Sequence, residues 1–399
     1  MKIGIFTREN CIGEGGASSF NNTLLKDINV IRAKYDVLII HQGRSREKVY
    51  RKLDGIEYIN IRAYTRKRKI YQIFRSVKER IRVAYNTLLD LEDIYMPYSA
   101  LDDLAEKYGV DIYWFTFPLQ VNLSIPYIYT LWDLGHREYP FFPEVSRPMK
   151  NWMLRERTYS ESLIRATYVI TGNETGKKEI VSNYLIPEKK IRIVPFEVSS
   201  FCRRTEKKPD FDLPGEYYFY PAQFWAHKNH ICILQAMKIL KEEYGENINV
   251  VFSGSDKGNL SYIESRIKEY GLENQVMYAG FLKDEEIKYL YLNAKALIYA
   301  SLMGPNNLPP IEAKFLGCPV IISDLCGHRE QLGETAEYFD GYDPESLARI
   351  LHRITSDESY YEKLKTCTLN IHDQIDSYRY IDSMMDIFDE FNLIMERWK

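Results

Sequence analysis

The sequence predicts an α/β protein made of two Rossmann-like domains that face a cleft. Short apolar runs typical of buried strands, such as Lys2 to Phe6 and Tyr217 to Tyr220, alternate with helical patterns in both halves of the 399-residue chain. Units of this kind bind ligands at the carboxyl ends of their parallel strands. The expected boundaries are 1–197 for the first domain, 198–375 for the second, and 376–399 for a C-terminal helix.

The composition excludes several classes of protein. Hydrophobic residues make up 45% and charged residues 27% of the chain, as in an ordinary globular protein, and the net charge of −3 argues against nucleic-acid binding. The six cysteines are scattered without a CxxC pair, which favours reduced thiols in a cytoplasmic protein. Met1 to Thr7 is typical of a strand rather than a signal peptide, and no apolar run approaches about 18 residues. We therefore expect neither secretion by that route nor a membrane span.

The most informative stretch is Ser301 to Asp324. The apolar run 296–300 predicts a strand, which a loop rich in Gly, Pro and Asn follows. Pro309 and Pro310 suit the first turn of a helix, where proline is tolerated. We expect Glu312 in that turn, where the helix dipole favours a carboxylate that can accept hydrogen bonds from two hydroxyls of a ribose. The alternative is a helix start with an acidic residue that matches the dipole.

The segment GPNNLPPIEAKFLGCPVIISD resembles the donor-site signature of the retaining, two-domain (GT-B) glycosyltransferases of family four. The resemblance implies that Glu312 holds the ribose of a nucleotide sugar. It also implies that Leu308 and Pro309 lie along the diphosphate. In this fold a C-terminal helix crosses back to the N-terminal domain, and the apolar stripe between Ile381 and Trp398 suits that packing.

One position departs from the family pattern. Many members carry a second Glu eight residues before the first, near the donor sugar, and Gly304 stands there in this chain. We expect the backbone amides of Asn306 and Asn307 to replace part of that contact.

The loop PAQFWAHKNH supplies a second donor motif. Family members usually carry an Arg and then a Lys in this loop to neutralise the donor diphosphate. Lys228 matches the Lys, and Gln223 stands where Arg is common. A cation is needed because the nucleoside diphosphate leaves as an anion; the alternative for Lys228 is an exposed loop cation. Farther along, Gly280 and Phe281 resemble the place where backbone groups meet the base.

The N-terminal half contributes a glycine-rich loop, RENCIGEGGA, after the first strand. Ser18 stands at the third glycine position of the dinucleotide fingerprint, which disfavours an NAD-dependent dehydrogenase. Gly15 and Gly16 permit close approach of a substrate, and the family places a comparable pair at the cleft. A plain tight turn is the alternative.

A third motif, LWDLGHREYP, follows a predicted strand at 127–131. Many family members have a His-Asp pair here; Trp132 takes the His position and Asp133 matches. A subset of the family has a further His and Pro at the spacing of His136 and Pro140. We therefore expect Asp133 and His136 on the acceptor side of the cleft, with a structural His as the alternative.

The segment 62–82 combines nine basic residues with apolar residues at helical spacing. Such a helix either lies on an anionic membrane face or packs its apolar stripe on the domain core. The first alternative predicts a cytoplasmic protein that can associate with the inner face of the cytoplasmic membrane.

The resemblance as a whole implies a retaining transferase that moves a sugar from a nucleotide-diphosphate sugar to a glycan or lipid-linked glycan in bacterial surface polysaccharide synthesis. Its catalytic residues would be Asp133, His136, Lys228 and Glu312. No metal or other cofactor is expected, because cationic and helix-dipole contacts stand in for an acidic metal site. The alternative is a catalytically silent nucleotide-sugar-binding subunit that scaffolds a partner enzyme, which the departures at Trp132 and Gly304 keep open. A two-domain epimerase has no specific support.

Overall fold

The computed structural model describes residues 1–7, 24, 27–42, 55–65, 98–369 and 379–398. Two predicted features therefore lie outside the described residues: Gly15 with Gly16, and most of the basic segment, from 66 to 82. None of the described helices is long and apolar enough to cross a membrane.

The first domain is built on a seven-stranded parallel sheet of order β3-β2-β1-β4-β5-β6-β7. Its strands are β1 Lys2–Thr7, β2 Asp36–His41, β3 Glu57–Asn60, β4 Ile112–Phe115, β5 Tyr127–Thr130, β6 Tyr168–Thr171 and β7 Ile191–Ile193. The described helices around it are α1 Tyr98–Tyr108, α2 Gly135–Glu138, α3 Pro143–Ser146, α4 Met149–Leu163 and α5 Glu174–Tyr184, and residues 27–32 and 61–65 are also helical. The central strands are buried along their length, as expected for a parallel sheet covered on both faces.

The second domain is built on a six-stranded parallel sheet of order β10-β9-β8-β11-β12-β13. Its strands are β8 Tyr218–Pro221, β9 Val250–Ser253, β10 Val276–Tyr278, β11 Leu297–Tyr299, β12 Val320–Ser323 and β13 Glu337–Phe339. Its helices are α6 His230–Ile239, α7 Leu260–Glu269, α8 Asp284–Asn293, α9 Leu308–Phe315, α10 Cys326–Leu332, α11 Pro344–Ser356 and α12 Glu358–Leu369. A single large apolar core fills the space between this sheet and its helices. Two successive parallel sheets confirm the predicted two-domain α/β architecture.

The C-terminal helix α13, Tyr380–Met395, returns to the first domain, as predicted. Its apolar stripe packs into the core under β1, β2 and β4. The ring of Tyr380 stacks on Trp114 with centroids 6.2 Å apart, and Arg192 forms an ion pair of 2.7 Å with Glu390. The helix therefore ties the two ends of the chain to one domain.

The two domains contact each other directly around the cleft. The side chain of Asn173, at the start of α5, donates to the Pro305 carbonyl at 2.6 Å. The Glu330 carboxylate of α10 accepts from the backbone amides of Glu174 (2.6 Å) and Thr175 (2.9 Å). A carboxylate of the second domain thus satisfies free N–H groups at the start of a helix of the first.

Candidate functional site

The loops that follow the strands of the second sheet meet the loops after β5 and β6 of the first. In parallel α/β sheets, ligands bind at this carboxyl edge. The predicted donor-site residues that the structure describes lie on the second-domain side of this edge, and Asp133 lies on the first-domain side. The geometry of each determines what it can bind.

Lys228 ends a short 3-10 turn, Ala226–Lys228, between β8 and α6. Its half-buried ammonium donates to the Tyr299 hydroxyl (3.0 Å), the Ser301 hydroxyl (3.3 Å) and the Asn307 side-chain oxygen (3.4 Å). All three acceptors are neutral. Burial lowers the pKa of Lys228 to about 8, while the negative charges of Asp133 and Glu144 limit the fall. The charge of Asp133, on the first-domain side, thus acts on Lys228 of the second domain.

Glu312 lies in the second turn of α9, because the helix begins at Leu308 with Asn307 as its N-cap. The prediction that it lies in the first turn is therefore wrong. Its carboxylate, on a residue only 5% exposed, accepts from the Ser199 hydroxyl at 2.5 Å and the Tyr291 hydroxyl at 3.1 Å. Burial raises the pKa of Glu312 to about 7 in spite of both hydrogen bonds. Burial therefore outweighs any contribution of the helix dipole to the ionised form of Glu312.

The loop before α9 explains the departure at Gly304. This residue has φ of +109°, a conformation that favours glycine, and its carbonyl accepts from the Asn307 side chain at 3.2 Å. The amide of Asn307 already donates to the Gln331 side chain at 3.1 Å, so it is not available to replace the missing Glu. The Asn306 side chain instead packs against Gly172 of the first domain, where an added Cβ would lie 2.4 Å from its nitrogen.

The remaining predicted donor residues lie on neighbouring loops. The Gln223 oxygen accepts from the Trp225 ring nitrogen at 3.0 Å. Gly280 has φ of +69°, and its carbonyl accepts from the Gly254 amide at 2.8 Å. Phe281 is 50% exposed beside it. Leu308 is buried, and the Pro309 carbonyl accepts from the Tyr291 hydroxyl at 3.4 Å.

Asp133 follows β5 on the opposite side of the cleft. Its carboxylate accepts from the Gly135 amide at 2.9 Å and from Arg155 at 2.5 Å. Burial alone would raise the pKa of Asp133, but Arg155 and the Gly135 amide outweigh it and hold the pKa below its usual value. Asp133 is therefore a carboxylate whose charge Arg155 already compensates.

His136 has a different setting from the one predicted, because its ring is fully buried inside the first domain. One ring nitrogen lies 3.1 Å from the Glu156 carboxylate and 3.3 Å from the Tyr184 hydroxyl. Burial lowers the pKa of His136 to about 4, so the ring is neutral near pH 7. Glu156 in turn forms an ion pair of 2.5 Å with Arg137. In this conformation His136 reaches the cleft only through its neighbours.

Sequence patterns missed the neutral partners of the two charged donor-site groups. Tyr299 and Tyr291 lie in apolar runs that indicate only burial, and Ser199 lies in the polar segment between the domains. A pair between the domains, in which the His227 ring nitrogen lies 2.5 Å from the Glu144 carboxylate, also has no sequence signal. The one signal in the sequence was the presence of tyrosines at the predicted carboxyl edge of a sheet, whose hydroxyls could have suggested a polar site.

Two parallel Rossmann-like sheets facing a cleft, with a C-terminal helix that crosses back, define a GT-B fold. Several solved structures share it. Sucrose-phosphate synthase from Thermosynechococcus elongatus aligns with a TM-score of 0.70 at 17% identity, covering 100% of both chains. WaaG, a glycosyltransferase involved in lipopolysaccharide biosynthesis, aligns with a TM-score of 0.66 at 14% identity, covering 97% of this chain and 99% of WaaG. At these identities the likeness establishes the fold.

Residues 203–368 match the family described as "Glycosyl transferases group 1". Among curated relatives, the O-antigen chain mannosyltransferase RfbU of Salmonella typhimurium is 28% identical over 195 residues, 48% of this chain and 52% of RfbU. The mannosylfructose-phosphate synthase of Agrobacterium fabrum is 22% identical over 356 residues, 79% of this chain and 78% of the relative. The match with RfbU thus spans about half of its length, and the match with the serotype-specific mannosyltransferase WbdA of Escherichia coli spans 20%.

Proposed function

We propose that this protein is a glycosyltransferase that moves a sugar from a nucleotide-diphosphate sugar to a hydroxyl of a glycan or lipid-linked glycan, with retention of anomeric configuration. The observation that carries the proposal is the environment of Lys228. Among the residues that the structure describes, this ammonium group donates only to neutral partners; at the carboxyl edge of a Rossmann-like sheet it is poised for an anionic ligand.

The chemistry of sugar transfer matches this environment. Negative charge develops on the diphosphate as the sugar–oxygen bond breaks, and a fixed cation stabilises it most in a site that excludes water. A charge-assisted contact of this kind is worth about 1.5–3 kcal/mol. Lys228 supplies this charge in the proposal, and a metal ion is not required. Transfer should therefore survive treatment with a chelator.

Glu312 is proposed to hold the ribose. Its two oxygens accept one hydroxyl each from Ser199 and Tyr291, and a carboxylate has about four acceptor positions in all. Two ribose hydroxyls can therefore be added without loss of the present hydrogen bonds. Because the pKa of Glu312 is raised to about 7, this role is strongest above that pH.

The names of the relatives indicate which substrates to test first. RfbU and WbdA are named mannosyltransferases, and HepE from Anabaena, which shares the fold, was solved in complex with UDP. We propose a hexosyl donor, with mannose first, in the assembly of a bacterial surface polysaccharide. The acceptor is proposed to enter beside Asp133, on the first-domain side.

The test begins with thermal unfolding in the presence of GDP, UDP, dTDP or ADP. A ligand that binds only the folded state stabilises it by RT ln(1 + [L]/Kd), so at equal concentration the nucleotide that binds most tightly gives the largest rise in melting temperature. The matching nucleotide sugars are then assayed for transfer, and the anomeric configuration of the product is read by NMR. If none of the four nucleotides shifts the transition, the proposal is contradicted.

A catalytically silent nucleotide-sugar-binding subunit is the second candidate, and the backbone at Gly304 favours it. Many family members carry a Glu there, and φ of +109° makes that side chain strained in this chain. Binding of a nucleotide sugar without transfer or hydrolysis would favour this candidate. Restoring the residue by Gly304→Glu is expected to destabilise the fold by about 1–2 kcal/mol rather than to raise activity.

A separate proposal concerns association with the membrane, and it is based on the basic segment 62–82 of the sequence. We propose that a cytoplasmic protein meets lipid-linked acceptors at the inner membrane face through this segment. Sedimentation with vesicles tests it: binding should be stronger to anionic than to neutral vesicles and should weaken with salt. Equal binding to both kinds of vesicle would contradict it.

A further inference from the structure

The hydrogen bonds around Lys228 continue into the second domain through Asn307. The ammonium of Lys228 lies 3.0 Å from the Tyr299 hydroxyl, and that hydroxyl lies 2.7 Å from the Asn307 side-chain oxygen. The backbone of Asn307 is held as well, because Gln331 accepts from its amide and donates to its carbonyl, both at 3.1 Å. These hydrogen bonds therefore hold both the main chain and the side-chain oxygen of Asn307 in place.

The other end of the Asn307 amide contacts a buried histidine. The Asn307 side-chain nitrogen lies 2.9 Å from Nε2 of His328, at the start of α10. The opposite ring nitrogen, Nδ1, lies 2.8 Å from the backbone carbonyl of Ser323, the last residue of β12. The ring of His328 is completely buried, so these contacts are formed without competition from bulk water.

These contacts fix the tautomer of His328. A backbone carbonyl only accepts, so Nδ1 must carry the hydrogen. The hydroxyl of Ser323, 3.4 Å from Nδ1, donates to the Ser301 carbonyl at 2.5 Å and so also presents a lone pair to the ring. In a neutral ring Nε2 is then an acceptor. Burial lowers the pKa of His328 to about 4, which keeps the ring neutral at working pH.

The tautomer in turn fixes the direction of the Asn307 amide. The two ends of an amide group have nearly the same size, so packing alone does not select one orientation. Two acceptors, Nε2 of His328 and the Gly304 carbonyl at 3.2 Å, select the orientation in which the nitrogen faces them and the oxygen faces Tyr299 and Lys228. The reverse orientation would place an NH₂ group against an ammonium. Every hydrogen bond from Lys228 through Tyr299, Asn307 and His328 to the Ser323 carbonyl thus runs in one direction.

We propose that His328 is a positioning residue for the diphosphate site: together with the Gly304 carbonyl it anchors the Asn307 amide, and through Asn307 it holds the Lys228 ammonium where the diphosphate is bound. The inference rests on the proposed function. It deepens that function by adding two residues, His328 and Tyr299, that do not touch the ligand themselves. Chains of hydrogen bonds with a common direction strengthen one another, so a change at one end is felt at the other.

The experiment compares His328→Leu with His328→Gln. Leucine removes one of the two acceptors of the Asn307 nitrogen and leaves only the Gly304 carbonyl, so the amide is held less firmly. Glutamine retains an acceptor for Asn307 and a donor for Ser323. The affinity of the matching nucleoside diphosphate, found in the thermal unfolding screen, is measured by calorimetry beside that of the free nucleoside. We expect His328→Leu to weaken the diphosphate about tenfold and the nucleoside less than twofold, with His328→Gln restoring most of the loss.

A merely structural role for His328 would change both ligands equally, or neither, and either result would overturn the inference. If His328→Leu does not fold, Tyr299→Phe replaces it, because the variant keeps the buried ring and removes only the hydroxyl from the chain. The same selective loss of diphosphate affinity is expected for Tyr299→Phe, and wild-type affinity for both ligands would contradict the inference.

A second readout needs no ligand. Competitive labelling of lysine amines across pH, followed by mass spectrometry, gives the pKa of Lys228 in each variant. We expect a lower pKa for Lys228 in His328→Leu, because a loosened Asn307 side chain presents its oxygen less firmly to the ammonium, and no change at the exposed Lys365. A wild type that binds no nucleoside diphosphate would overturn the proposed function, whereas an unchanged Lys228 pKa would overturn only the positioning role.

Discussion

The charged side chains on the two sides of the cleft have different kinds of partner. On the first-domain side, the Asp133 carboxylate is paired with Arg155 at 2.5 Å, and Glu156 is paired with Arg137 at 2.5 Å. On the second-domain side, within the part of the chain that the structure describes, Lys228 and Glu312 have only neutral hydrogen-bond partners. A buried charge is costly unless it is paired, so unpaired charges at a cleft indicate where a ligand completes the site.

The pKa values of these four groups follow the same division. On the first-domain side, the pKa of Asp133 and that of Glu156 both lie below their usual values, because cations more than offset burial. On the second-domain side, burial lowers the pKa of Lys228 to about 8 and raises that of Glu312 to about 7. In each of these two groups the charged form is the disfavoured one. A cationic and an anionic side chain in the same half of the cleft thus both have pKa values shifted toward neutral pH.

The largest effect is expected for Lys228→Ala. Loss of a contact worth about 1.5–3 kcal/mol should weaken nucleoside diphosphate binding and lower kcat/KM by roughly 10- to 100-fold. Lys365→Ala, on the exposed face of α12, is the matched control and should match the wild type. Unchanged kinetics for Lys228→Ala would contradict the idea that the unpaired charges of the second-domain side mark the ligand site.

The pH dependence of nucleotide binding should be the next largest effect. Glu312 must be ionised to accept ribose hydroxyls, which requires a pH above about 7, and Lys228 must be protonated, which requires a pH below about 8. Affinity should therefore pass through a narrow maximum between these values and fall by up to about tenfold per unit on the alkaline side. Calorimetry from pH 6 to pH 9 measures it. A flat profile would contradict the assigned roles.

A smaller effect is expected for Glu312→Gln, which should raise stability at high pH and weaken nucleotide binding. The folded pKa of Glu312, about 7, lies above its unfolded value of 4.5, so the wild type loses stability as pH rises from 4.5 through 7. Glutamine does not ionise. The variant should gain about 1–3 kcal/mol over the wild type at pH 9 and little at pH 5, and should bind nucleotide several-fold more weakly.

Denaturant unfolding at the two pH values measures the difference. The control, Glu273→Gln in an exposed turn, should leave stability nearly unchanged at both. A loss of stability for Glu312→Gln at pH 9 would show that the charge of Glu312 is compensated after all.

The smallest effect on function is expected on the first-domain side. His136→Gln removes a buried ring that contacts Glu156 and Tyr184, and should lower stability by about 1–3 kcal/mol. Because the ring does not reach the cleft surface, kcat of the folded variant should stay within about threefold of the wild type. A loss of kcat as large as that of Lys228→Ala, at unchanged stability, would restore His136 to the catalytic set.

Much of the fold could be predicted from local pattern. Apolar runs located the strands predicted at 2–6, 127–131, 217–220 and 296–300 to within one residue, whereas β3 and β13 were not predicted. The three- and four-residue spacing after Ile381 located the returning helix. The sequence also placed Lys228 and Glu312 at the same carboxyl edge, because each follows a strand of the same parallel sheet. These features depend on neighbours in sequence.

The environment of the site could not be predicted, because it depends on residues far apart in the chain. Ser199 lies 113 positions before Glu312, and its hydroxyl is brought there by the packing of the segment between the domains. The buried setting of His136, and the raised pKa of Glu312, likewise follow from tertiary contacts rather than spacing. A single residue also changed an interpretation: the helix begins at Leu308, which moves Glu312 out of the first turn.

The most direct test of the central claim is proton uptake on binding, measured by calorimetry in buffers of different ionisation enthalpy at about pH 8.5. At this pH a free nucleoside diphosphate is fully ionised, Glu312 is ionised, and Lys228 is partly deprotonated. We predict that the wild type takes up a fraction of a proton when it binds the diphosphate and that Lys228→Ala takes up none. Equal uptake by the two proteins, or none by either, would contradict the claim that the unpaired ammonium of the second domain receives the diphosphate.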